Sequence, residues 1–332
     1  MFEVWSCKRT LIKCFFLAAL LTFFVGFFLN RRGHAKAGQS LHPVDKEFYA
    51  VISPSTYKYV LNQPEKCKGR HPFLVLMVPV APKDRSSRDA VRKTWGQEDS
   101  IPNVDILRLF FAGLPPGDWG GVHIQSDLEK ESQEHRDIIQ MDFLDSYGNL
   151  TVKTMMMMHW LASQCGHASY AMKVDADIFL NVHYLVQHLL DPTAGTARRG
   201  FITGSVIADG RPRRNRNSKW HIPEEVFPED SYPPYVSGAG YVFSTDLAGK
   251  ISWASRFVRP LPLEDVYVGL CLRLLGVRPV YSYSLASMRS LFVVGNLEYR
   301  RCAYSQLVLV NGFPPHRLLR VWHDFQKAPF TC

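Results

Sequence analysis

The sequence has no glycine-rich nucleotide loop. Neither GxxxxGKS/T nor GxGxxG occurs in its 332 residues, which argues against a P-loop kinase and a dinucleotide enzyme. G-x-S-x-G is missing too, and with it the nucleophile elbow of the usual serine hydrolases. Cysteine is sparse and scattered: Cys7, Cys14, Cys67, Cys165, Cys271, Cys302 and Cys332 include no C-x-x-C pair. Zinc ribbons and thioredoxin-type centres are therefore disfavoured. No internal repeat is visible. With 46% hydrophobic and 21% charged residues, the chain is neither disordered, collagen-like nor a coiled coil. It is long enough to bury a core without disulfides as the main support. At roughly 150 residues per domain it makes one large domain or two modest ones.

What the chain does have is positive charge, +9 at neutral pH. That points to an anionic partner: a nucleotide, a nucleic acid or an acidic membrane surface. Six arginines crowd residues 198–219: Arg198, Arg199, Arg211, Arg213, Arg214 and Arg216. A solvated loop is the plain reading, and a contact for an anionic acceptor or a membrane the sharper one. No aromatic residues interleave with them, so nothing there supports nucleic-acid binding.

The apolar residues are concentrated at the start. Cys14 to Leu29 runs sixteen residues with Thr22 its one clearly polar member, and Leu11 and Ile12 extend it beyond Lys13. As a helix it spans roughly 24 Å, which suits a thin early-secretory bilayer with Lys13 snorkelling. Ala35-Lys36-Ala37 offers a signal-peptidase pattern. However, Arg31 and Arg32 follow the run directly and the alanines sit far from it. The expectation is an uncleaved signal anchor at 11–29, behind a tail at 1–10 and ahead of a stem at 30–70. A cleaved signal peptide and a buried soluble helix are the lesser readings. Lys8, Arg9 and Lys13 nearly balance Arg31, Arg32 and Lys36, so flanking charge alone leaves the orientation open. The five later cysteines fit two disulfides with one free thiol in an oxidising lumen. Five buried thiols in the cytosol fit equally well.

Past residue 70 the texture becomes regular. PFLVLMVPV (72–80) is a continuous apolar run, as strands buried on both faces are, and VDILRLFFAG (104–113) reads as another buried strand, ending in Gly. SSRDAVRKTWG (86–96), DLEKESQEHRD (127–137) and TVKTMMMMHWLASQC (151–165) predict helices, the second of them exposed and acidic. The four consecutive methionines read as core filler. IIQMDF (138–143) and YAMKVDADIFLN (170–181) predict strands. This alternation predicts an α/β domain with a mostly parallel sheet and helices on both faces. Ligands in such sheets bind at the carboxyl ends of the strands, here just after Val174.

Four constellations carry possible chemistry. Asp175-Ala176-Asp177 follows a buried strand, where two carboxylates can converge on a hard cation that bridges nucleotide phosphates. Glu264-Asp265 opens the helix of LPLEDVYVGLCLRLLG, 261–276. It is a capping pair on the plain reading and supplies a general base on the sharper one. YPPYVSGAGYVFS (232–244) combines rigid prolines with Gly238 and Gly240, which let backbone come close to something bulky. Tyr232, Tyr235 and Trp220 are candidates to stack on sugar rings. Arg88, Arg92, Lys153 and Lys173 lie next to predicted strand ends or helix starts, where a pyrophosphate binds.

RDAVRKTWG (88–96), DFLDSYGNLTVKT (142–154), YAMKVDADIFLN, YPPYVSGAGY, EDVYVGLCLRLLG and the late RVW (320–322) occur in one order over about residues 70–330. That set resembles the beta-1,3-galactosyltransferase family of type II Golgi enzymes. The resemblance implies a GT-A-type domain over 71–332, lumenal behind the N-terminal transmembrane helix. It implies Mn²⁺, a UDP-sugar donor, a glycan acceptor on protein or lipid, and inverting transfer to a sugar 3-hydroxyl without a covalent nucleophile. It puts Asp175 and Asp177, with Ala176 between them, on the donor side and makes Asp265 the base. By their own positions Arg88, Arg92, Lys153 and Lys173 are expected on the donor side, and Trp220, Tyr235, Gly238, Gly240 and Glu264 on the acceptor side. The loop Ser237-Gly238-Ala239-Gly240-Tyr241 looks like the galactosyl version, while N-acetylglucosaminyl members more often run glycine through it. Two positions depart from the pattern. Val236 replaces the family's usual cysteine, which would orphan a partner cysteine. Asn311 stands at the spacing of the family's metal-binding histidine, nine residues after Cys302 and eleven before Trp322. Asp175, Asp177 and Asn311 are thus the expected metal ligands. Asn149-Leu150-Thr151 is a glycosylation sequon inside a family motif, equally readable as a structural helix start.

Overall fold

The computed structural model describes residues 42–117, 119–284 and 289–327. Pro43–Cys332 forms one compact unit. The anchor expected at 11–29, the tail before it and the first part of the stem lie outside the described residues. Among the described residues no helix is long and apolar enough to cross a membrane.

Four parallel strands form the middle of the main sheet: β2 (Leu74–Pro79), β3 (Ile106–Leu114), β4 (Ile138–Leu144) and β5 (Tyr170–Val174), in the order β4-β3-β2-β5. Their runs are apolar on both sides because both faces are covered. Val75, Met77, Leu107, Leu109 and Phe111 share one core with residues of α3 (Leu150–Gln164), α4 (Asp246–Ala254) and α5 (Glu264–Leu274). Leu74, Leu76, Val78, Ile106 and Phe110 share the other with residues of α1 (Arg85–Arg92) and α6 (Pro315–Phe325). The period of two along each strand assigns alternate residues to the two cores. Met155 to Met158 are all buried in the first core, which is the filler role their flexibility suits.

Antiparallel strands extend this centre. β8 (Tyr235–Ser244) pairs with β5, β7 (Ile202–Ile207) pairs with β8, and β1 (Tyr59–Leu61) pairs with β4. β9 (Val280–Tyr281) closes the eight-stranded order β1-β4-β3-β2-β5-β8-β7-β9, parallel to β7. A small second sheet joins β10 (Phe292–Val293), β11 (Leu309–Asn311) and β6 (Ile178–Leu180). The acidic helix is longer than expected: α2 spans Trp119–His135, with Leu128 and Glu131 buried. The glycine-rich segment 235–244 is a full strand rather than a loop. It gains its structure from pairing with β5 and β7 on either side, which its own propensity does not announce.

The stem expectation needs correcting in its second half. Residues from Pro43 onward belong to the folded unit. β1 caps the sheet edge beside β4, Ile52 is buried, and Cys67 is bonded to Cys165 at the end of α3. Cys302 is also disulfide-bonded. Cys271 is free and buried, and burial pushes its thiol up. Among the described residues Cys67, Cys165 and Cys302 are therefore in disulfides and Cys271 is the free thiol. Cys271 on α5 shares a core with Val236 on β8, the position where the family pattern has cysteine. The Cys67–Cys165 bridge closes 98 residues of sequence separation, a span for which loop entropy predicts roughly 4–5 kcal/mol. Cys67→Ser is expected to cost about 2–5 kcal/mol in denaturant unfolding; an unchanged midpoint would mean that the bridge does not form.

Candidate active site

The strand order creates the site. The chain steps from β2 to β3 to β4 on one side, then returns to β5 on the other side of β2. The loops that leave the carboxyl ends of β2 and β5 part company there, and such a switch point is where open α/β sheets bind ligands. Residues 80–84 leave β2, and Asp175-Ala176-Asp177 leaves β5.

Asp84 ends the first loop and caps α1. Its carboxylate accepts from the Ser87 backbone N–H (3.0 Å) and from both the Ser86 and Ser87 hydroxyls. Burial, then Asp175, lift the Asp177 carboxyl above the ordinary range, and Asp84 adds to the effect. The Asp177 carbonyl accepts from Phe313 N at 2.8 Å. β11 then runs antiparallel to β6, with Asn311 opposite Ile178. Asn311 is thereby set one register step from Asp177. Its Oδ1 accepts from Gly295 N at 2.8 Å.

Lys173, buried near the end of β5, ties the two acidic motifs together. Its ammonium donates to Asp175 (2.7 Å), lies 3.1 Å from Glu264, and contacts the Gly238 carbonyl. Burial alone would lower its pKa, but Asp175 and Glu264 outweigh that and hold it above the usual range. Glu264 is 6% exposed. Burial raises its carboxyl, Lys173 opposes, and it comes to rest at about 7. Its other contacts are the Thr154 hydroxyl at 3.3 Å and the Tyr241 hydroxyl at 3.4 Å. The Glu264 carboxylate, expected on the acceptor side, is thus engaged inside by Lys173, Thr154 and Tyr241.

Asp265 differs from its neighbour. It is partly exposed, and its two oxygens accept from Gly238 N (3.1 Å) and Val266 N (2.9 Å). Burial raises its carboxyl and these N–H groups only partly offset that. Gly238 and Gly240 make this possible. A Cβ at 238 would sit 2.7 Å from Glu264 Oε1, and one at 240 would sit 2.5 Å from Leu309 Cδ1. What comes close to the glycines within the chain is the start of α5 and β11.

Tyr235 lines the same side. A Cβ at Gly210 would strike its ring at 2.7 Å. Burial, then Asp265, lift its hydroxyl to about 12, with Arg213 and Asp209 also acting on it. Trp220 is exposed and its Nε1–H donates to the Tyr147 hydroxyl at 3.0 Å. Tyr147 precedes α3, whose Thr151 hydroxyl donates to the Leu261 carbonyl at 2.7 Å, four residues before Asp265. Asn149 spends its side-chain N–H on the Leu144 carbonyl (2.8 Å) and Thr151 is buried; the sequon has a structural use.

The other basic residues divide. Lys153 is buried against Asp145, with N–O distances of 2.9 and 2.7 Å. Burial lowers its pKa, Asp145 partly restores it, and Asp175 and Lys173 act on it as well. Arg88 and Arg92 are not brought to the cleft. Arg88 is 2% exposed, paired with Glu131 and bonded to the Ala81 and Pro82 carbonyls. Arg92 is held by Asp137, Glu131 and Asp89. Arg88 thereby braces the loop after β2, and Arg92 ties α1 to Glu131 and Asp137.

Sequence reading missed Asp84, Asp145, Thr154 and Tyr241. Asp145 carried one signal, its place with Lys153 inside a family motif, but no spacing rule pairs residues across a turn. Six carboxylates (Asp84, Asp145, Asp175, Asp177, Glu264, Asp265) and two ammonium groups (Lys153, Lys173) surround this region. The negative excess and the hard oxygen donors of Asp175 and Asp177 fit a divalent cation. Among the described residues no three His, Cys, Asp or Glu side chains gather as a ready metal cage. A cation here would draw on Asn311, water or phosphate oxygens, as Mg²⁺-type ions commonly do.

The family model described as Galactosyltransferase matches residues 86–283. Beta-1,3-galactosyltransferase 2 of Mus musculus is 41% identical over 276 residues, 82% of this chain and 64% of that protein. Beta-1,3-galactosyltransferase 1 of Mus musculus is 41% identical over 282 residues, 85% of this chain and 82% of that one. The chain thus spans just under two thirds of the length of the first relative, 64%. A solved glycosyltransferase involved in the glycosylation of the major capsid of PBCV-1 aligns with a TM-score of 0.39 and 9% identity, over 76% of this chain and 100% of its own. So loose a fit supports neither fold nor function. The matched domain and the 41% identities establish that this chain belongs to the galactosyltransferase family, alongside the beta-1,3-galactosyltransferases.

Proposed function

We propose that the protein transfers galactose from UDP-galactose, with inversion, to the 3-hydroxyl of a terminal N-acetylglucosamine-type acceptor. The observation that carries this reading is Asp265, a partly exposed carboxylate with both oxygens fixed on backbone N–H groups. Its neighbour Glu264 shares Lys173 with Asp175, two residues before Asp177. A base at a helix start and two acids at a strand end would then serve the two ends of one site.

At one end Asp175, Asp177 and Asn311 would hold Mn²⁺, which neutralises charge on a departing diphosphate. Lys173 keeps Asp175 oriented, and Lys153 adds a buried positive charge on the donor side. At the other end Asp265 accepts the acceptor's proton as its oxygen attacks the anomeric carbon. No covalent nucleophile is needed for a single displacement. Membership of the family supports the reaction class, and the Ser237–Tyr241 loop supports galactose. The disulfides favour an oxidising compartment, in keeping with a type II Golgi anchor at 11–29 and a lumenal domain.

Two alternatives stand. UDP-N-acetylglucosamine as donor differs only in the sugar pocket. A weakly active, chaperone-like relative is favoured by Asn311, whose carbonyl is engaged with Gly295 N. The test is transfer by a secreted fragment from about residue 43 to a GlcNAc-terminated acceptor, with each donor, with Mn²⁺ and with EDTA. Galactose transfer abolished by EDTA is expected. Transfer of N-acetylglucosamine instead would move the donor. Transfer of neither, together with metal-independent UDP binding, would sink the reading in favour of the chaperone.

A further inference from the structure

The turn between Asp209 and His221 carries four cations that form no ion pair among the described residues: Arg211, Arg213, Arg216 and Lys219. Of these, Arg213, Arg216 and Lys219 lie closest to Trp220 in sequence and are exposed. Their neighbours are different. Arg214 spends its guanidinium on the carbonyls of Ile222, Phe227 and Glu229, and Glu229 is itself taken by Arg273 at 2.7 Å. Asp209 acts electrostatically on Tyr235 and, like the three cations, is outside the ion pairs of this turn.

The turn also gathers them. Arg213 bridges His221 and accepts from Ile222 N at 3.0 Å, while Ser218 N bonds Asn215 O and His221 N bonds Ser218 O. Arg213, Arg216, Lys219 and Trp220 therefore share one short reversal. Lys219 Nζ lies 4.7 Å over the Trp220 ring and 5.9 Å from the Tyr147 ring. The Trp220–Tyr147 hydrogen bond joins the two side chains, and the residues are 44% and 52% exposed. Lys219 lies over one face of the indole, so the C–H face of a pyranose would use the other. Unpaired guanidinium and ammonium groups beside it suit a sulfate or carboxylate. Gly210, shortly before Arg213, packs on the Tyr235 ring, and Tyr235 packs on Gly269 in α5, one turn beyond Asp265, so this turn lies on the side of the base.

We propose that this turn is a subsite for an anionic acceptor glycan. The acceptor carries sulfate or carboxylate on a sugar inward of the reacting one. Its ring lies on Trp220 and Tyr147, and its anion meets Lys219, Arg213 and Arg216. The proposal rests on the acceptor-side reading of the Asp265 cleft given above. A stacking platform favours a glycan over a lipid surface, which would engage the cations alone.

The test is binding, kept apart from catalysis. The full-length chain in detergent is titrated, without donor, with the trisaccharide GlcNAc-Gal-GlcNAc and with its analogue sulfated on the internal galactose. At 50 mM salt the sulfated form is expected to bind about tenfold more tightly. The preference should fall below about twofold in the R213Q/R216Q/K219Q variant, and shrink at 300 mM salt as screening shortens. Trp220→Ala should weaken both ligands by a similar factor. Thermal unfolding of each variant checks that the surface changes leave the fold intact. Equal affinities for the two ligands, no binding of either, or a preference that survives the triple variant would overturn the proposal. Loss of binding to phosphatidylserine vesicles with the sulfate preference intact would assign the cations to a membrane. Failure of transfer with normal sulfate-dependent binding would instead count against the reaction proposed above.

Discussion

Asp265→Asn is expected to lower the turnover of sugar transfer by about 10²–10⁴-fold, the range a general base contributes, while UDP binding stays near its starting value. The choice of Asp265 over Glu264 follows from what each oxygen already does. Glu264 is buried, with Lys173, Thr154 and Tyr241 around it; reaching a substrate would leave Lys173 short of a counter-charge. Asp265 is open on one side and anchored by two N–H donors. Those donors also show why asparagine is a severe change. Its amide N–H₂ must face either Gly238 N–H or Val266 N–H, so a small stability loss should accompany the catalytic one, and unfolding should be measured beside turnover. The pH dependence follows in sign. Burial raises the Asp265 carboxyl, and a base works only when deprotonated. Transfer should therefore fall on the acid side at a pH above the ordinary carboxylate range. Glu264, at about 7, binds a proton in the folded chain that the unfolded chain has released. Its contribution to stability is thus present at low pH and declines as pH rises through about 7. A profile with an acid limb near pH 4, or an Asn variant with full turnover, would remove Asp265 from the base role.

The parallel centre of the fold was readable because β2 is apolar without interruption and β3 nearly so, broken by Arg108, and such runs are what two covered faces demand. The position of Asp175 and Asp177 was readable too, because they follow the buried strand β5. β8 was not. Its Gly238 and Gly240 look like loop residues, and only the approach of Glu264 and Leu309 explains why they stand in a strand. The stretch from Pro43 to Arg70 has weak periodicity, and its order comes from long-range partners, β4 and Cys165, which a local pattern does not encode. The basic residues show the limit most clearly. Arg88, Arg92, Lys153 and Lys173 look equivalent in sequence, each beside a strand end or helix start. Lys153 and Lys173 meet acids of the cleft. Arg88 and Arg92 meet Glu131 and Asp137, which come from α2 and the loop before β4. Charge type was legible, but partner identity depends on which elements the topology brings together.

That difference sets the second large effect. Glu131→Met is expected to destabilise the protein by about 3–5 kcal/mol, the cost of leaving a buried charge uncompensated. Glu131 is 1% exposed and receives both Arg88 nitrogens at 2.7 Å, with Arg92 at 2.7 Å as well. Without it Arg88, buried at 2%, keeps only the Ala81 and Pro82 carbonyls. Arg88→Met should cost less, since Glu131 retains Arg92, which in turn is shared with Asp137. The double variant, with methionine at both positions, should recover part of the Glu131→Met loss, because two apolar side chains of similar length carry no unpaired charge. At about 2–4 °C per kcal/mol the single change lowers the melting temperature by at least about 6 °C, and the double by visibly less. Arg88 also holds the loop after β2, so UDP affinity in the double variant separates two roles. If stability recovers while UDP binding stays weak, the ion pair positions the donor loop; if both recover, it only closes a buried charge. A Glu131→Met variant as stable as the parent would mean the pair is not dry in solution, and would return Arg88 to the cations available to the donor.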